Sequence, residues 1–349
     1  MASRIKQILQ KLEQSKLDGL IITDPYNITY LTKYLSRDSF LLISKKGTVF
    51  FTDFRYLEEA KQKLKSEASI QKIDGPIYSI IARTCFELKL KRIGFEENNL
   101  SFYGYQELSG SLRKIARLEP ASGLIEELRL TKDKEELLKI KRAVKINVAA
   151  LKFIRKHIRP GKTELAIAAE LERFIRYQGA LKTAFDIIVA SGPNSCYPHH
   201  FPTQRKIKNN EPVLIDIGVE FEGYKSDLTR VYFSGRITVL AQEILGIVLK
   251  AQSYAIKQVK PGIKASEVDK AGREVIVNSG FGARFGHSLG HGVGLEIHEA
   301  PKISPRADIL LKPGMIFTVE PAIYIPGKFG VRVEDMVLVT RDGCKVLSR

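Results

Sequence analysis

The chain has 349 residues, of which 44% are hydrophobic and 27% are charged, a composition typical of a soluble globular protein and not of a disordered or fibrous one. Its three cysteines are far apart and form no C-x-x-C pair, which argues against a disulfide framework and against a thiolate zinc site. The net charge of +17 is spread evenly, with 20 basic and 14 acidic residues in the first 120 positions and 36 and 25 in the rest, so it predicts a solvated basic surface and no specific nucleic-acid site.

Hydropathy shows no membrane span and no secretion signal. No apolar run approaches the roughly 18 residues that a span needs, and the first 20 residues have the pattern of a polar amphipathic helix. We therefore expect a cytoplasmic protein that has no membrane partner.

The first third of the chain alternates predicted helices with predicted strands. In chain order, the pattern predicts a helix at 4–15, a strand at 19–22, a turn at 24–27, a hairpin of strands 40–44 and 48–52, a helix at 56–65, a strand at 69–73, a helix at 77–88 and a strand at 92–95. This forms a complete α/β layer. It contains no histidine and no glycine-rich phosphate loop, which indicates a positioning or assembly role. A linker at 119–123 predicts one domain at 1–122 and a second at 123–349.

The second domain is predicted to contain an internal duplication. A long helix at 141–158 ends at Pro-Gly and is followed by a helix at 164–177, capped by Thr163. About a hundred residues later, a long helix at 240–259 ends in the same way and is followed by a helix at 267–278, capped by Ser266. In each half, a segment rich in Ser, Gly and His comes next, and then a β-hairpin with two carboxylates. Two halves facing each other across a pseudo-twofold axis would bring four carboxylates to one centre.

The first of these hairpins spans residues 213–230. A two-residue turn at 222–223 places Asp216 opposite Thr229 and on the same face as Asp227. Burying two like charges costs several kcal/mol per ion unless a cation lies between them, so the hairpin indicates a metal site. The simpler alternative is that one aspartate caps a turn and the other faces solvent.

The second hairpin carries two glutamates. Glu320 follows the apolar run 315–319 and precedes Pro321, which cannot continue a central strand, whereas Glu334 lies within an alternating strand pattern at 331–339. Either glutamate alone could form a salt bridge at a sheet edge. The equivalent placement of four acids in two hairpins favours a metal centre.

Most of the histidines fall in the two loops that precede the hairpins, namely His199, His200, His287, His291 and His298. His287 and His291 have the i, i+4 spacing of a helical zinc pair, but the glycines around them argue against a helix, so we expect only one of the two to bind metal. Cys196 and His199 could form a nucleophile pair, but no orienting partner is visible, which disfavours this alternative.

Several segments, taken together, resemble a known family. They are Phe185 to Gly192 (FDIIVASG), 198–200 (PHH), Asp216 to Arg230, 290–301 (GHGVGLEIHEAP), 319–321 (VEP) and 332–335 (RVED). They are similar to motifs of the Xaa-Pro aminopeptidases and prolidases, which are "pita-bread" metallopeptidases related to methionine aminopeptidase and creatinase. The resemblance implies an α+β protein, with a C-terminal pita-bread domain of pseudo-twofold duplication preceded by a smaller α/β domain. Methionine aminopeptidase is disfavoured because those enzymes resemble only the second part of the chain.

The resemblance also implies a centre of two divalent metal ions. Asp216 would bind one ion, and His291 and Glu320 would bind the other. Asp227 and Glu334 would bridge the two ions. Four carboxylates and one imidazole are a hard ligand set that suits Mn²⁺ or Co²⁺ at least as well as Zn²⁺, and we expect Mn²⁺.

The implied reaction is hydrolysis by a water that bridges the two ions. Its lowered pKa would give hydroxide near neutral pH, which attacks the carbonyl of the residue before proline. His199 would hold the substrate backbone, and His298 would stabilise the developing oxyanion. Glu320 would shuttle protons, and Arg332 would support the site.

The expected substrates are peptides or dipeptides with proline in the second position. The main prediction is an Xaa-Pro aminopeptidase, and the alternative is a prolidase restricted to Xaa-Pro dipeptides. A non-catalytic peptide-binding module on the same fold is disfavoured, because every implied ligand is present. A homodimer is also expected.

Overall fold

The architecture is given by a computed structural model, which describes residues 2–65 and 67–349. The helices are α1 Ala2–Gln14, α2 Pro25–Thr32, α3 Leu57–Leu64, α4 Ile77–Glu87, α5 Phe102–Leu112, α6 Glu126–Arg129, α7 Lys134–Ile154, α8 Glu164–Tyr177, α9 Val239–Gln258 and α10 Ala265–Asn278. The strands are β1 Gly19–Ile22, β2 Ser39–Ser44, β3 Gly47–Thr52, β4 Ser69–Lys72, β5 Arg92–Phe95, β6 Arg117–Pro120, β7 Lys182–Thr183, β8 Ile188–Ser191, β9 Pro212–Phe221, β10 Tyr224–Phe233, β11 Gly290–Gly292, β12 Glu299–Ile303, β13 Ile316–Val319, β14 Ala322–Ile325, β15 Phe329–Arg332, β16 Asp335–Val339 and β17 Cys344–Val346.

The chain divides into two compact units, of which the first ends at Arg129 and the second is Leu130–Arg349. This boundary lies seven residues beyond the one predicted after residue 122. Hydrogen bonds from Asn27 Nδ2 to Glu126 (2.7 Å) and from the Tyr30 hydroxyl to the Leu128 carbonyl (3.1 Å) hold α6 to the first unit.

The first unit is built on a six-stranded mixed sheet with the strand order β4-β3-β2-β1-β5-β6. This confirms the predicted α/β layer. Two local predictions were wrong. The predicted turn at 24–27 is the start of α2, because Asp24 caps the helix by accepting from the Tyr26 N–H (2.7 Å). Part of the predicted linker at 119–123 belongs to β6, which pairs in parallel with β5.

The second unit repeats one order of elements, which confirms the predicted duplication. Helices α7 and α8 precede the sheet of β7 to β10, and helices α9 and α10 precede the sheets of β11 to β17. Helix α8 begins as predicted, with Thr163 Oγ1 accepting from the Ala166 N–H (3.1 Å). Helix α10 begins after Lys264, so Ser266, the predicted cap, lies inside its first turn.

Two further helix predictions concern length. Helix α7 starts at Lys134 and not at residue 141, because Asp133 and Glu136 form a capping box that adds two turns. Helix α9 is long and apolar enough, by length and composition, to cross a membrane, although the apolar-run argument did not flag it. A single helix of this kind is weak evidence for a membrane span. The face of α9 that carries Ile244 and Val248 is buried in the core of the second unit.

The first hairpin has the predicted register. Strands β9 and β10 pair with Asp216 opposite Thr229 and Asp227 opposite Gly218, so the two carboxylates share a face. The turn residues Glu222 and Gly223 both have positive φ values (48° and 84°), which matches the right-handed twist of the flanking strands.

The second hairpin is interrupted where its glutamates lie. Strand β13 pairs with β16 and β14 pairs with β15, but residues 320–321 and 333–334 between them belong to no strand. The alternating pattern predicted that Glu334 lies inside a strand, and this prediction was wrong. Pro321 has no N–H to donate at this point, and Gln252 Nε2 from α9 donates to two of the carbonyls beside the break, those of Val319 and Val333 (3.2 Å each).

Candidate metal centre

The two halves of the second unit contribute side chains to one cleft of about 1220 Å³. Its polar lining includes the five residues for which the sequence predicts a metal-binding role, namely Asp216, Asp227, His291, Glu320 and Glu334. The folded chain therefore brings together groups that are more than a hundred residues apart in the sequence. Their grouping is observed, whereas their function as ligands stays a prediction.

The first hairpin supplies two buried aspartates. Asp216 Oδ2 accepts from Arg332 Nη2 (2.7 Å), but its Oδ1 has no hydrogen-bond partner among the described residues. Asp227 Oδ1 is equally buried and unpartnered within the same part of the chain. A buried carboxylate oxygen without a donor is costly, so both atoms indicate a missing positive partner.

The second half supplies an imidazole and two glutamates. His291 Nε2 lies 3.4 Å from Glu320 Oε1 and 3.6 Å from Asp227 Oδ2. Glu334 is held from the first hairpin, because Thr229 Oγ1 donates to its Oε2 (2.7 Å). One ligand atom from each of Asp227, His291 and Glu334 lies within 4.8 Å of the other two.

These groups shift one another's protonation strongly. Burial, together with the other carboxylates of the centre, raises the pKa of Asp227 and of Glu334 well above the ordinary range. Burial raises the pKa of Glu320 to about 8, although Arg332 opposes this shift. Burial lowers the pKa of His291 to about 4, so its imidazole is neutral and can act as a ligand near neutral pH.

The donor set fits divalent metal ions. Like-charged carboxylates that are buried together, with two unpartnered oxygens and a neutral imidazole beside them, need a cation for charge balance. Oxygen ligands in the majority favour a hard ion. The imidazole is oriented by a hydrogen bond between its Nδ1 and the Gly292 carbonyl (3.1 Å), which leaves Nε2 facing the carboxylates.

Arg332 joins both hairpins beneath this centre. Its guanidinium is almost fully buried and donates to Asp216 Oδ2 (2.7 Å), to Thr229 Oγ1 (3.1 Å) and to the Tyr324 hydroxyl (2.6 Å). Tyr324 lines the cleft and was missed by the sequence reasoning, because a tyrosine in an apolar strand has no motif of its own. Its only signal in the sequence is a hydroxyl group within an otherwise apolar strand of the second hairpin.

The five histidines of the two loops all line the cleft, but they differ in their contacts. His199 and His298 line the cleft, and the ring of His298 lies 4.3 Å from that of His291. His287 contacts the Tyr324 hydroxyl through Nε2 (3.3 Å), and that only one of His287 and His291 is a ligand stays a prediction. His200 is bound to Glu164 (2.9 Å).

The raised pKa of Glu320 makes a prediction for the metal-free protein. The folded state holds this proton up to a pH of about 8, whereas the ordinary value is 4.5, so the stability that it contributes is complete below pH 4.5 and is lost as the pH rises through 8. With chelator present, the melting temperature of the wild type is expected to fall by several degrees relative to that of Glu320→Gln between pH 5 and pH 8. Equal changes in the melting temperatures of the two proteins across this pH range would contradict the raised pKa of Glu320.

Comparison with known proteins finds family models that match both parts of the chain. Residues 138–341 match the model of metallopeptidase family M24, and residues 4–131 match that of the creatinase/prolidase N-terminal domain. The Xaa-Pro dipeptidase of Pyrococcus furiosus is 36% identical, over 100% of this chain and 98% of its own length.

Solved structures give the same result. A structure of Xaa-Pro dipeptidase from Bacillus anthracis is 39% identical with a TM-score of 0.96, over 100% of this chain and 97% of that one. A structure of X-Pro aminopeptidase from Thermotoga maritima is 34% identical with a TM-score of 0.91, over 99% of this chain and 97% of that one. Because the family model covers more than half of the sequence and these relatives align along nearly all of it, the chain belongs to metallopeptidase family M24.

Proposed function

We propose that this protein is a metal-dependent peptidase that hydrolyses the bond between an amino-terminal residue and a following proline. The observation that carries the proposal is the cluster of Asp227, His291 and Glu334, whose ligand atoms lie within 4.8 Å of one another in the wall of a cleft. The relatives named as Xaa-Pro dipeptidases and X-Pro aminopeptidases support the choice of substrate class.

Five side chains would hold two divalent ions, for which Mn²⁺ is the first choice and Co²⁺ and Zn²⁺ are the alternatives. They are Asp216, Asp227, His291, Glu320 and Glu334. Bound ions would supply Lewis acidity and would lower the pKa of the attacking water. Asp227 and Glu334, one from each hairpin, are proposed as the ligands that the two ions would share, as the resemblance to the Xaa-Pro peptidases implies.

The remaining chemistry falls to side chains of the cleft. Burial and the neighbouring His199 lower the pKa of His298, so its imidazole is neutral and can donate an N–H to an oxyanion. His199 is exposed in the cleft and would bind the substrate backbone. Glu320 would carry a proton from the attacking water to the leaving proline nitrogen. Arg332 would keep Asp216 oriented.

Within this class, a dipeptide is the first substrate that we propose. The relatives in both comparisons include Xaa-Pro dipeptidases, and two cations that line the cleft, Arg284 and Lys302, suit the free carboxylate of a dipeptide. The second candidate, an aminopeptidase acting on longer chains, is favoured by the size of the cleft. Its volume exceeds the roughly 300 to 1,000 Å³ of ordinary small-ligand sites.

A parallel assay separates the two candidates. The protein is stripped with chelator and reconstituted with Mn²⁺, and it is given an Xaa-Pro dipeptide and a longer peptide that begins with the same two residues. We expect cleavage of the dipeptide. Cleavage of both peptides at similar kcat/KM establishes the aminopeptidase, and cleavage of neither by protein that has bound metal contradicts the proposed activity.

The homodimer and the cytoplasmic location stay predictions. Sedimentation of the purified protein tests the first, and a mass of one chain at micromolar concentration would contradict it. Fractionation of the producing cells tests the second.

A further inference from the structure

A buried carboxylate in the second helix of each half binds the histidine-bearing loop of that half. In the first half, this carboxylate is Glu164, at the start of α8, and the first histidine loop is residues 191–203. In the second half, it is Asp269, in α10, and the second histidine loop is residues 285–291. Both carboxylates are fully buried, and neither lines the cleft.

Glu164 accepts hydrogen bonds along the whole first histidine loop. Its Oε1 accepts from the Ser191 N–H and hydroxyl (2.7 Å each) and from Asn194 Nδ2 (3.0 Å). Its Oε2 accepts from His200 Nε2 (2.9 Å) and from the N–H and hydroxyl of Thr203 (3.1 and 2.7 Å). One side chain thus fixes both ends of the loop and the residue next to His199.

The charge of Glu164 is part of this arrangement. Burial acts to raise its pKa, but the hydrogen bonds from His200, Ser191 and Thr203 outweigh burial, and the pKa lies below the ordinary value. A carboxylate can accept from all of these donors at once, whereas a carboxamide would turn an N–H₂ group toward some of them. A glutamine would therefore break the set even though it fills the same volume.

The consequence for the cleft concerns two adjacent histidines. Both imidazoles line the cleft, but His200 Nε2 is engaged by Glu164, so His199 is the one that we assign to the substrate. The loop is also bound from the opposite half, because Arg332 Nη1 donates to the Pro198 carbonyl (3.3 Å). Loss of the Glu164 contacts would leave the loop held from the opposite half by Arg332, which belongs to the metal centre itself, and by the bond from the Gly330 N–H to Ser195 Oγ (2.8 Å).

Asp269 acts on the second histidine loop, partly through Arg273. Its two oxygens accept from Arg273 Nε and Nη2 (2.7 and 2.8 Å), and its Oδ1 accepts from the Leu289 N–H (3.1 Å). Arg273 in turn donates to the carbonyls of Phe285 (3.1 Å) and His287 (2.8 Å). This pair fixes the backbone that leads into strand β11 and into His291.

We propose that Glu164 and Asp269 are positioning residues with separate duties: Glu164 places His199 for substrate binding, and Asp269 places His291 for metal binding. The inference rests on the proposed function for its kinetic readout. It also predicts changes in loop protection and in metal content that do not depend on activity.

The test of the first duty is Glu164→Gln, with Glu170→Gln as the matched control. Glu170 lies on the same helix, is partly exposed and pairs with Arg173, so its substitution makes the same chemical change away from the loop. We expect Glu164→Gln to raise KM for an Xaa-Pro dipeptide about tenfold with a much smaller change in kcat, because His199 binds the substrate alike in the ground state and the transition state. Bound metal is expected to stay unchanged, and amide hydrogen exchange across residues 191–203 is expected to increase.

A double-mutant cycle with His199→Ala makes this test stricter. If Glu164 acts through His199, the KM effect of Glu164→Gln disappears in the His199→Ala background. Additive effects on KM, or an unchanged KM with only a lower melting temperature, would overturn the first duty. If Glu164→Gln does not fold, Thr203→Val removes one donor to the same carboxylate and is judged by the same criteria.

The test of the second duty is Asp269→Asn, with Glu274→Gln on the same helix as its control. Glu274 is exposed and pairs with Lys270. We expect Asp269→Asn to weaken Mn²⁺ binding about 10- to 100-fold, the loss usual for groups that orient a ligand. At saturating metal, its KM for the dipeptide is expected to equal that of the wild type. Unchanged Mn²⁺ affinity would overturn this duty. If Asp269→Asn does not fold, Arg273→Lys keeps the charge, loses the planar two-pronged contact and is judged in the same way.

The proposed activity is checked alongside, with wild-type protein. If the wild type binds Mn²⁺ but cleaves no Xaa-Pro peptide, the proposed function fails. The exchange and metal-binding comparisons still decide the positioning of the two loops in that case.

Discussion

Replacing Asp227 by asparagine, or Glu334 by glutamine, is expected to abolish peptidase turnover and to lower the amount of bound metal. Each side chain is buried and reaches the centre from a different hairpin, and Asp227 has an oxygen with no partner among the described residues. A carboxamide keeps the shape of the side chain but loses the charge that the ions need. Because loss of an outer group alone costs up to about 100-fold in metal affinity, a larger loss is expected here.

The measurement is metal content after equilibration with Mn²⁺ and removal of the excess, together with kcat/KM on an Xaa-Pro dipeptide. Asp308→Asn is the control, because the Asp308 side chain is exposed and pairs with Lys264 away from the cleft. Turnover near that of the wild type in either bridging variant would show that these carboxylates do not bridge the ions. The same variants are expected to be at least as stable as the wild type when metal is absent, because each removes a buried carboxyl group whose ionised form the metal-free fold disfavours.

Replacing His298 by alanine is expected to leave the metal content unchanged and to lower kcat roughly 100- to 1,000-fold. His298 lines the cleft and packs its ring against that of His291, but it is not part of the carboxylate cluster. It is neutral near neutral pH, since burial lowers its pKa, and a neutral imidazole can donate one N–H to a developing oxyanion.

Metal content and kcat are measured on the same samples, with His157→Ala as the control. His157 lies beyond the end of α7, where its Nδ1 contacts the Phe153 carbonyl and its ring packs against the Phe153 ring. Loss of metal from His298→Ala would mean that His298 is a ligand and not a catalytic group.

The first hairpin could be predicted from the sequence down to its register. A two-residue turn fixes which residues face each other, and the period of two then places Asp216 and Asp227 on one face. Binary pattern and turn chemistry agree there, and both are local. The duplicated order of helices and hairpins could be found for the same reason, since it repeats within the sequence itself.

The second hairpin shows where local pattern fails. The alternation around Glu334 predicts an unbroken strand, but the break is set by Pro321 on the opposite strand and by the Gln252 amide from α9. Both are tertiary effects, which a window of the sequence around Glu334 does not contain. The carboxylate of Glu334 lies in the metal centre because the strand is interrupted at this residue.

The geometry of the first histidine loop could not be predicted from the sequence either. Nothing in the pair His199 and His200 says which imidazole is engaged by a buried carboxylate, because an irregular loop has no period. The answer lies in Glu164, 35 residues before His199, whose own sequence context is that of an ordinary first turn of a helix. Tyr324 was missed for a similar reason, since its role depends on contacts with Arg332 and His287.

The central claim is that a two-ion centre in this cleft cleaves Xaa-Pro bonds. Its most direct test is a titration of chelator-stripped protein with Mn²⁺, in which bound metal and hydrolysis of an Xaa-Pro dipeptide are followed on the same sample. The account predicts no hydrolysis without metal, and activity that rises with added Mn²⁺ and reaches its plateau at two ions per chain. Full activity in the stripped protein, or two bound ions with no cleavage of the dipeptide or of a longer Xaa-Pro peptide, would contradict it.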